Sequence, residues 1–475
     1  MSAMAGNVIR KRLLRNNYLL CDFIVSFLVW LAVNIYRFYQ VGYLSFSSID
    51  SYMFSRKVLF GQLVIPLIWL VVYYYSGYYN SPLMKSRLSE LSKTFFSTVV
   101  GSLLIFFVLM INDLPRDYKI YYKLLFMMFV TQFFCIYVVR AFMTGVITRK
   151  IHGRQIGINT LVIGAGRRAV KLTEELDSMK LSMGFFIKGC IDMGDCPVAE
   201  NAKVLGCKSD LEKIIKDQNI KEIILAPEQE TDETVLAYIR ALYRFGLPIK
   251  MSVSSFLLTK SVRMSTIYAS PMIDINKDNM PEGQKNIKNT FDRLAAALFL
   301  VLFSPLYLYL AWRVKRDSPG GIFYRQERLG LHGKPFTIYK FRTMRQDAEA
   351  SGPALSSEND PRITPFGHVM RKYRFDELPQ FWNVLKGDMS LVGPRPERSF
   401  YAEQIMEKAP FYCQVYTVKP GITSWGMVKY GYAKTVDQMT ERLKYDIIYL
   451  DNRSLFIDIK ILIYTVRTIV TGKGI

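Results

Sequence analysis

Four long apolar runs occupy the first third of the chain, at 18–36, 59–79, 95–111 and 121–144. About 20 apolar residues cross a bilayer as an α-helix, so each run predicts a membrane-spanning helix. The third is short, which predicts tilt or a helix extending past the run. Pro66 and Gly77 are compatible with such helices, whose freed backbone groups find partners on neighbours. From 156 to 275 the pattern changes. Short apolar runs at 160–163, 185–190, 222–226 and 247–253 alternate with amphipathic stretches. That is the order of an α/β domain with a parallel sheet. A fifth apolar stretch, 294–312, carries Ser304-Pro305 near its middle. Proline removes a backbone donor and clashes with the preceding turn, and a serine hydroxyl can bond a freed carbonyl. We read 291–313 as a helix–break–helix that enters and leaves the membrane on one side; the other reading is a kinked spanning helix. Asp292 and Arg293 mark its interfacial end.

The predicted architecture is therefore a membrane protein of α plus α/β class. It has a four-helix transmembrane bundle (1–150), a Rossmann-like parallel-sheet cytoplasmic domain (151–280) and a domain built on the re-entrant helix (281–475). Charge orients it. Arg10, Lys11, Arg12, Arg15, Lys85, Arg87, Lys93, Arg149, Lys150 and Arg154 flank one side of the spans, ten cations against five (Arg37, Arg56, Lys57, Arg116, Lys119) on the other. The richer side faces the cytoplasm, which puts the N-terminus and everything from 150 onward there. The basic segment before the first run leads into a full-length span, with no small-residue cleavage site of a signal peptide. A net charge of +22 fits nucleic acid or a basic face against anionic lipid and phosphorylated substrates; the apolar runs favour the second, with no nucleic-acid partner expected. The six cysteines and three histidines lack metal or disulfide spacing.

Two segments carry candidate chemistry. Gly164-x-Gly166-x-x-Ala169 follows the first sheet strand and opens a helix, the outline of a dinucleotide turn. Asp192 lies near where a ribose-binding acid would sit. The same turn also closes a strand–helix corner without any ligand, and a structural or regulatory role is the preferred reading. After 313 the chain concentrates Arg and Lys among turn-forming Gly and Pro. It includes Lys340-Phe341-Arg342-Thr343-Met344, Arg371, Asp376-Glu377-Leu378-Pro379-Gln380, Asn383, Gly387–Glu397 and Lys419-Pro420-Gly421-Ile422-Thr423. Arginine's planar fork and lysine's point charge suit phosphate oxygens. Cations around Asp376 and Glu377 would keep them ionised. An ionised Asp can attack phosphorus, and a neighbouring carboxylate can hold Mg²⁺. The bland reading is a solvated acidic pair capping a helix. The apolar 455–467 fits a helix resting on the membrane or ordinary core packing.

Residues 290–475 resemble the bacterial sugar transferase family, the monotopic polyprenyl-phosphate phosphoglycosyl transferases. Ser304-Pro305, Lys340–Met344, Asp376–Gln380 and Gly387–Glu397 stand in family order. The spans and sheet before them resemble its long-form members, undecaprenyl-phosphate glucose or galactose phosphotransferases among them, whose middle domain is labelled CoA-binding-like. The resemblance implies transfer of a sugar-1-phosphate from a UDP-sugar to undecaprenyl phosphate at the inner membrane, releasing UMP, in exopolysaccharide, capsule or O-antigen synthesis. It implies Asp376 as nucleophile and Glu377 as Mg²⁺ ligand. Phosphate or substrate contacts fall on Lys340, Arg342, Arg371, Gln380, Asn383, Pro394, Arg395 and Pro396. It also implies a homodimer. Ser318-Pro319-Gly320-Gly321 departs from the family's Ser-Pro-Gly-Pro, which affects turn stiffness. A fifth crossing would strand 313–475 away from nucleotide sugars, which favours re-entry. One rival, a membrane-anchored NAD-dependent nucleotide-sugar dehydratase, needs a second Rossmann unit with Tyr-x-x-x-Lys after 290, and none is present. The other is a non-catalytic scaffold, which the full set of chemical residues argues against.

Overall fold

The structure is a computed structural model, and it describes residues 7–8, 11–40, 42–44, 46–80, 87–112, 119–252, 272–276, 278–346, 348, 360–431 and 433–470. Position 253 of the last predicted strand, and Arg10, Lys85 and Arg116 of the charge count, lie outside these. Packing divides the chain into two units: Met1–Gly157 with Lys180–Gly184 and Pro281–Ile287, and the remainder.

The first unit opens with β1 (Asn7–Val8), which pairs in parallel with Ile156 and Gly157. Then come α1 (Lys11–Gln40), the short α2 (Ile49–Met53), α3 (Arg56–Tyr75), α4 (Arg87–Asn112) and α5 (Lys119–His152). Among the described residues four helices are long and apolar enough to cross a membrane. They outrun the predicted apolar runs because their basic ends continue the helix. Their burial is inverted relative to a water-soluble bundle. Leu, Phe and Val side chains such as Leu28, Phe60, Leu104 and Phe142 are exposed, while Asp22, Glu90, Gln132 and Arg140 are buried. Only a lipid solvent makes that pattern favourable. Arg140 Nε and Nη2 donate to Asp22 Oδ1 and Oδ2 at 3.0 and 2.6 Å. Its guanidinium lies 4.1 and 3.6 Å from the ring centres of Tyr73 and Tyr78. At Gly101 a Cβ would meet Trp69 at 2.2 Å, so glycine is what lets α3 and α4 approach.

The second unit begins with a sheet: β2 (Ile156–Ile163), α6 (Arg167–Ser178), β3 (Phe185–Asp192), β4 (Val204–Cys207), α7 (Leu211–Asp217), β5 (Glu222–Leu225), α8 (Asp232–Leu242), β6 (Ile249–Ser252) and β7 (Met272–Asp274). The strand order is β4-β3-β2-β5-β6-β7, parallel except for β6–β7. The predicted strands fall on β2, β3, β5 and β6. The short edge strands β4 and β7 were not anticipated, since four and three residues give no clear alternation. α9 (Glu282–Leu302) and α10 (Ser304–Asp317) meet at a 65° bend at Ser304-Pro305. Ser304 Oγ donates to the Val301 carbonyl at 2.8 Å.

An antiparallel hairpin, β8 (Phe323–Leu329) and β9 (Pro335–Phe341), follows. The rest is α11 (Pro365–Lys372), α12 (Gln380–Lys386), β10 (Ser390–Val392), α13 (Ser399–Lys408), β11 (Gly421–Thr423), α14 (Trp425–Lys429), α15 (Val436–Asp451) and α16 (Leu455–Val470). One continuous apolar core joins the sheet, through Leu161, Ile223 and Tyr238, to Val384, Leu391 and Ile405.

Candidate active site

The carboxylate pair sits on a single 3₁₀ turn, Phe375–Glu377, between α11 and α12. Local sequence explains the turn. Thr364 caps α11 by accepting from the Gly367 amide at 3.1 Å, with Pro365 in the first turn. α11 ends at Lys372, and Arg374, two residues on, adopts a left-handed φ of 55°. The chain then turns back so that the Glu377 amide donates to the Arg374 carbonyl at 3.2 Å. Pro379 ends the turn at the start of α12, and Tyr307 of α10 donates to the Leu378 carbonyl at 2.7 Å.

Asp376 and Glu377 are both 8% exposed and ringed by cations. Lys340, on β9, places Nζ 3.1 Å from Glu377 Oε1 and 3.8 Å from Asp376 Oδ2. Arg395 Nη1 stands 3.5 Å from Glu377 Oε1, and Arg374 Nη1 3.4 Å from Oε2. Arg371 is one turn back, its Nε donating to Thr343 Oγ1 at 3.0 Å. Burial alone would raise both carboxyls. For Glu377, Lys340, Arg395 and Arg374 together outweigh it and hold the group well below the usual range. Asp376 is pushed up by burial and by its neighbour's charge, against the pull of Lys340, Arg371 and Arg374. The two carboxyls thus differ in character despite adjacency. One is a fixed anion; the other is desolvated and less stabilised in its charged form.

The other predicted residues divide. Lys340, Arg371 and Arg395 lie at the pair. Arg342 does not reach it: its guanidinium donates to the Pro319 and Ser318 carbonyls, both at 2.7 Å, and so clasps the end of α10. Asn383 is fully buried; its amide nitrogen donates to the Thr337 carbonyl at 2.7 Å and its oxygen accepts from the Tyr339 amide at 3.1 Å. That fixes α12 to the strand carrying Lys340. Gln380 is buried at the start of α12. Pro394 and Pro396 use their carbonyls structurally, accepting from the Gly421 amide at 2.9 Å and Arg328 Nη1 at 3.1 Å. Beside them Glu397 is locked between Arg442 at 2.6 Å and Arg328 at 3.2 Å. Ser304 and Pro305 form the bend.

Sequence reasoning missed Arg374. Nothing in an arginine codon-by-codon reading announces a left-handed backbone; its place two residues before the pair was the available signal. Away from this site, the glycine turn is occupied from within. Glu228 Oε2 accepts from the Arg168 amide at 3.1 Å, and a Cβ on Gly166 would stand 2.3 Å from it.

Residues 283–472 match the bacterial sugar transferase family, and residues 74–251 match a CoA-binding domain family. An undecaprenyl-phosphate galactose phosphotransferase of Salmonella typhimurium is 33% identical over 345 residues, 66% of this chain and 68% of that protein. The chain belongs to the bacterial sugar transferase family. A UDP-N-acetylgalactosamine-undecaprenyl-phosphate N-acetylgalactosaminephosphotransferase of Aeromonas hydrophila is 46% identical over 188 residues, 40% of this chain and 44% of the relative. A UDP-glucose:undecaprenyl-phosphate glucose-1-phosphate transferase of Xanthomonas campestris pv. campestris is 33% identical over 291 residues, 59% and 60% of the two chains. The match therefore spans only about half the length of these last two family members. The residues that match the sugar transferase family, 283–472, include the carboxylate pair and its cations.

Proposed function

We propose that this chain transfers a sugar-1-phosphate from a UDP-sugar to undecaprenyl phosphate, with release of UMP, in bacterial polysaccharide synthesis. The observation that carries this reading is the buried Asp376–Glu377 turn ringed by Lys340, Arg371, Arg374 and Arg395. Such a ring accepts the negative charge of a diphosphate and offsets the charge that develops as phosphorus changes partners.

In the first step a carboxylate oxygen of Asp376 bonds to the β-phosphorus. The bond from that phosphorus to the bridging oxygen breaks, and UMP leaves with the oxygen. In the second, a phosphate oxygen of the lipid attacks the same phosphorus and displaces the carboxylate. The lipid diphosphate sugar is formed and Asp376 is restored. Lys340 and Arg395 bind phosphate oxygens, and Glu377 stays ionised throughout. The residues fit a Mg²⁺ ion as Glu377 with Asp376, since this ion takes one or two carboxylates and completes its shell with water and phosphate oxygens. Among the described residues no third His, Cys, Asp or Glu joins them. Bound there, Mg²⁺ would neutralise charge on the transferring group.

The 65° bend supports re-entry of α9–α10 from the cytoplasmic face of the inner membrane, which keeps catalytic domain and nucleotide sugar on one side. The sheet reads as Rossmann-like, with Glu228 taking the phosphate's place at the glycine turn. That weighs against an NAD-dependent dehydratase.

Asp376→Asn keeps size and burial but removes the nucleophile. UMP release from UDP-sugars in the presence of undecaprenyl phosphate and Mg²⁺ should fall at least about a thousandfold, with the melting temperature held. Full activity in that variant would refute the covalent step.

A further inference from the structure

Three lysine and arginine side chains crowd the point where α9 leaves the aqueous side, and their counter-ions can be accounted for one by one. Lys288 is paired with Asp458 at 2.7 Å and Asp292 at 3.5 Å. Asp292 also accepts from Ser390 Oγ at 2.5 Å. Asp388 is paired with Lys386 at 3.0 Å. The carboxylates here are thus committed. Arg293 and Lys419 remain, and among the described residues neither side chain has a hydrogen-bond or ion-pair partner. They converge on one spot. A Cβ built on Gly387 would lie 3.0 Å from Arg293 Nη2 and 3.8 Å from Lys419 Nζ. Gly387 is left-handed, φ 98°, at the C-terminal end of α12, and the absence of a Cβ there lets the Arg293 guanidinium pack against its backbone.

Two like charges facing one another beside Gly387 repel, and Asp292 and Asp388, each already paired with another cation, offset that only in part. Burial and the charge of Arg293 already push the Lys419 ammonium down from its ordinary value. The carbonyl end of the seven-residue α12 offers about half a charge, too little for both. The location selects the anion. Phe291, Leu294 and Leu298 of α9 are exposed and apolar on either side of Arg293, and Trp382 of α12 is exposed above. That is the composition of a membrane interface, where lipid phosphates lie.

We propose that Arg293 and Lys419, converging beside Gly387, form an interfacial cradle for the phosphate of a membrane lipid. It is separate from the cations around Asp376 and anchors α9 at its point of entry. The inference rests on the reading of α9–α10 as a membrane-inserted hairpin but not on the transfer reaction. The phosphate can belong to an anionic phospholipid headgroup or to undecaprenyl phosphate.

The full-length protein in neutral detergent is melted with increasing phosphatidylglycerol, undecaprenyl phosphate, phosphatidylcholine or unphosphorylated undecaprenol. We expect the first or second, and neither of the others, to raise the melting temperature. Arg293→Gln with Lys419→Gln should raise the lipid concentration for half the shift by at least tenfold, and Arg293→Lys with Lys419→Arg should restore it. A shift with phosphatidylglycerol assigns the headgroup; a shift with undecaprenyl phosphate alone assigns the acceptor lipid. Equal shifts in native and Gln-substituted proteins, no shift with either lipid, or a double variant merely less stable with unchanged lipid response would overturn the cradle. The readout is melting, so loss of UMP release would bear on the proposed reaction and leave this result standing.

Discussion

Arg374 holds a backbone conformation that costs an L-residue with a Cβ about 1–2 kcal/mol, and it does so beside the carboxylate pair. Glycine would adopt φ of 55° without that cost. The arginine is explained by its guanidinium, half-way into the site against Glu377. We therefore expect Arg374→Gly to melt at the native temperature or a few degrees above it. Its turnover number should fall about tenfold or more, with KM for the UDP-sugar less affected, and Arg374→Lys should recover part of the loss. A glycine variant that is less stable yet equally active would make the residue structural. The same scale shows where the sequence stops being legible. Asp376, Glu377, Lys340, Arg371 and Arg395 are singled out by the family resemblance of their motifs, and the fold brings them together. Arg342 carries the same charge in the same motif but spends it on two carbonyls at the end of α10. Which way a long side chain turns depends on which unsatisfied carbonyls lie within reach, and those come from segments distant in sequence.

At the scale of elements, α14 and α15 show a buried carboxyl holding two helices together. Asp446 of α15 accepts from the Gly426 amide at 3.1 Å, in the first turn of α14. Burial pushes its pKa up from 3.8 to about 6, only partly offset by Arg442, which is already committed to Glu397. The folded state therefore binds this proton more tightly than the unfolded chain does. The stabilisation is complete below the unfolded value near 3.8 and is lost as pH rises through about 6. Asp446→Asn keeps the acceptor for the Gly426 amide without the titration. Relative to the native protein, its melting should improve between pH 4 and pH 8, by up to about 3 kcal/mol at 1.4 kcal/mol per pKa unit. An unchanged difference across that range would show that Asp446 stays ionised in the fold. Elements themselves were legible in proportion to length. Spans and central strands announce themselves through runs of apolar residues. β4, β7 and the β8–β9 hairpin do not: β4 and β7 are only four and three residues long, and β8 and β9 alternate more and less exposed positions without an apolar run. Beyond them, the clasp of Asn383 onto β9 needs a strand the pattern does not reveal.

At the scale of the whole molecule, the carboxylate turn and its cations belong to one packing unit, while the most deeply buried ion pair among the described residues belongs to the other. Asp22 and Arg140 lie 118 residues apart and are 1% and 0% exposed. Thr94 and two tyrosine rings complete the surroundings of the guanidinium. Tyr79 donates its hydroxyl to Asp22 at 2.7 Å, so the carboxylate is satisfied from two elements at once. Removing one charge leaves its partner desolvated and unpaired, which costs about 3–5 kcal/mol; removing both abolishes attraction and penalty together. We expect Arg140→Ala to lower the melting temperature of the full chain sharply. Asp22→Ala with Arg140→Ala should be less damaging than Arg140→Ala alone, with a coupling of about 1–3 kcal/mol in the double-mutant cycle. Because every residue of the carboxylate turn and its cations lies in the second unit, the proposed reaction predicts that the surviving folded fraction of each variant releases UMP at the native rate. Strict additivity of the two substitutions would mean that water or lipid headgroups reach the pair. In that case the bundle would be held by its aromatic packing around Trp69 and Tyr73, and its polar centre would contribute little to the order in which the four helices assemble.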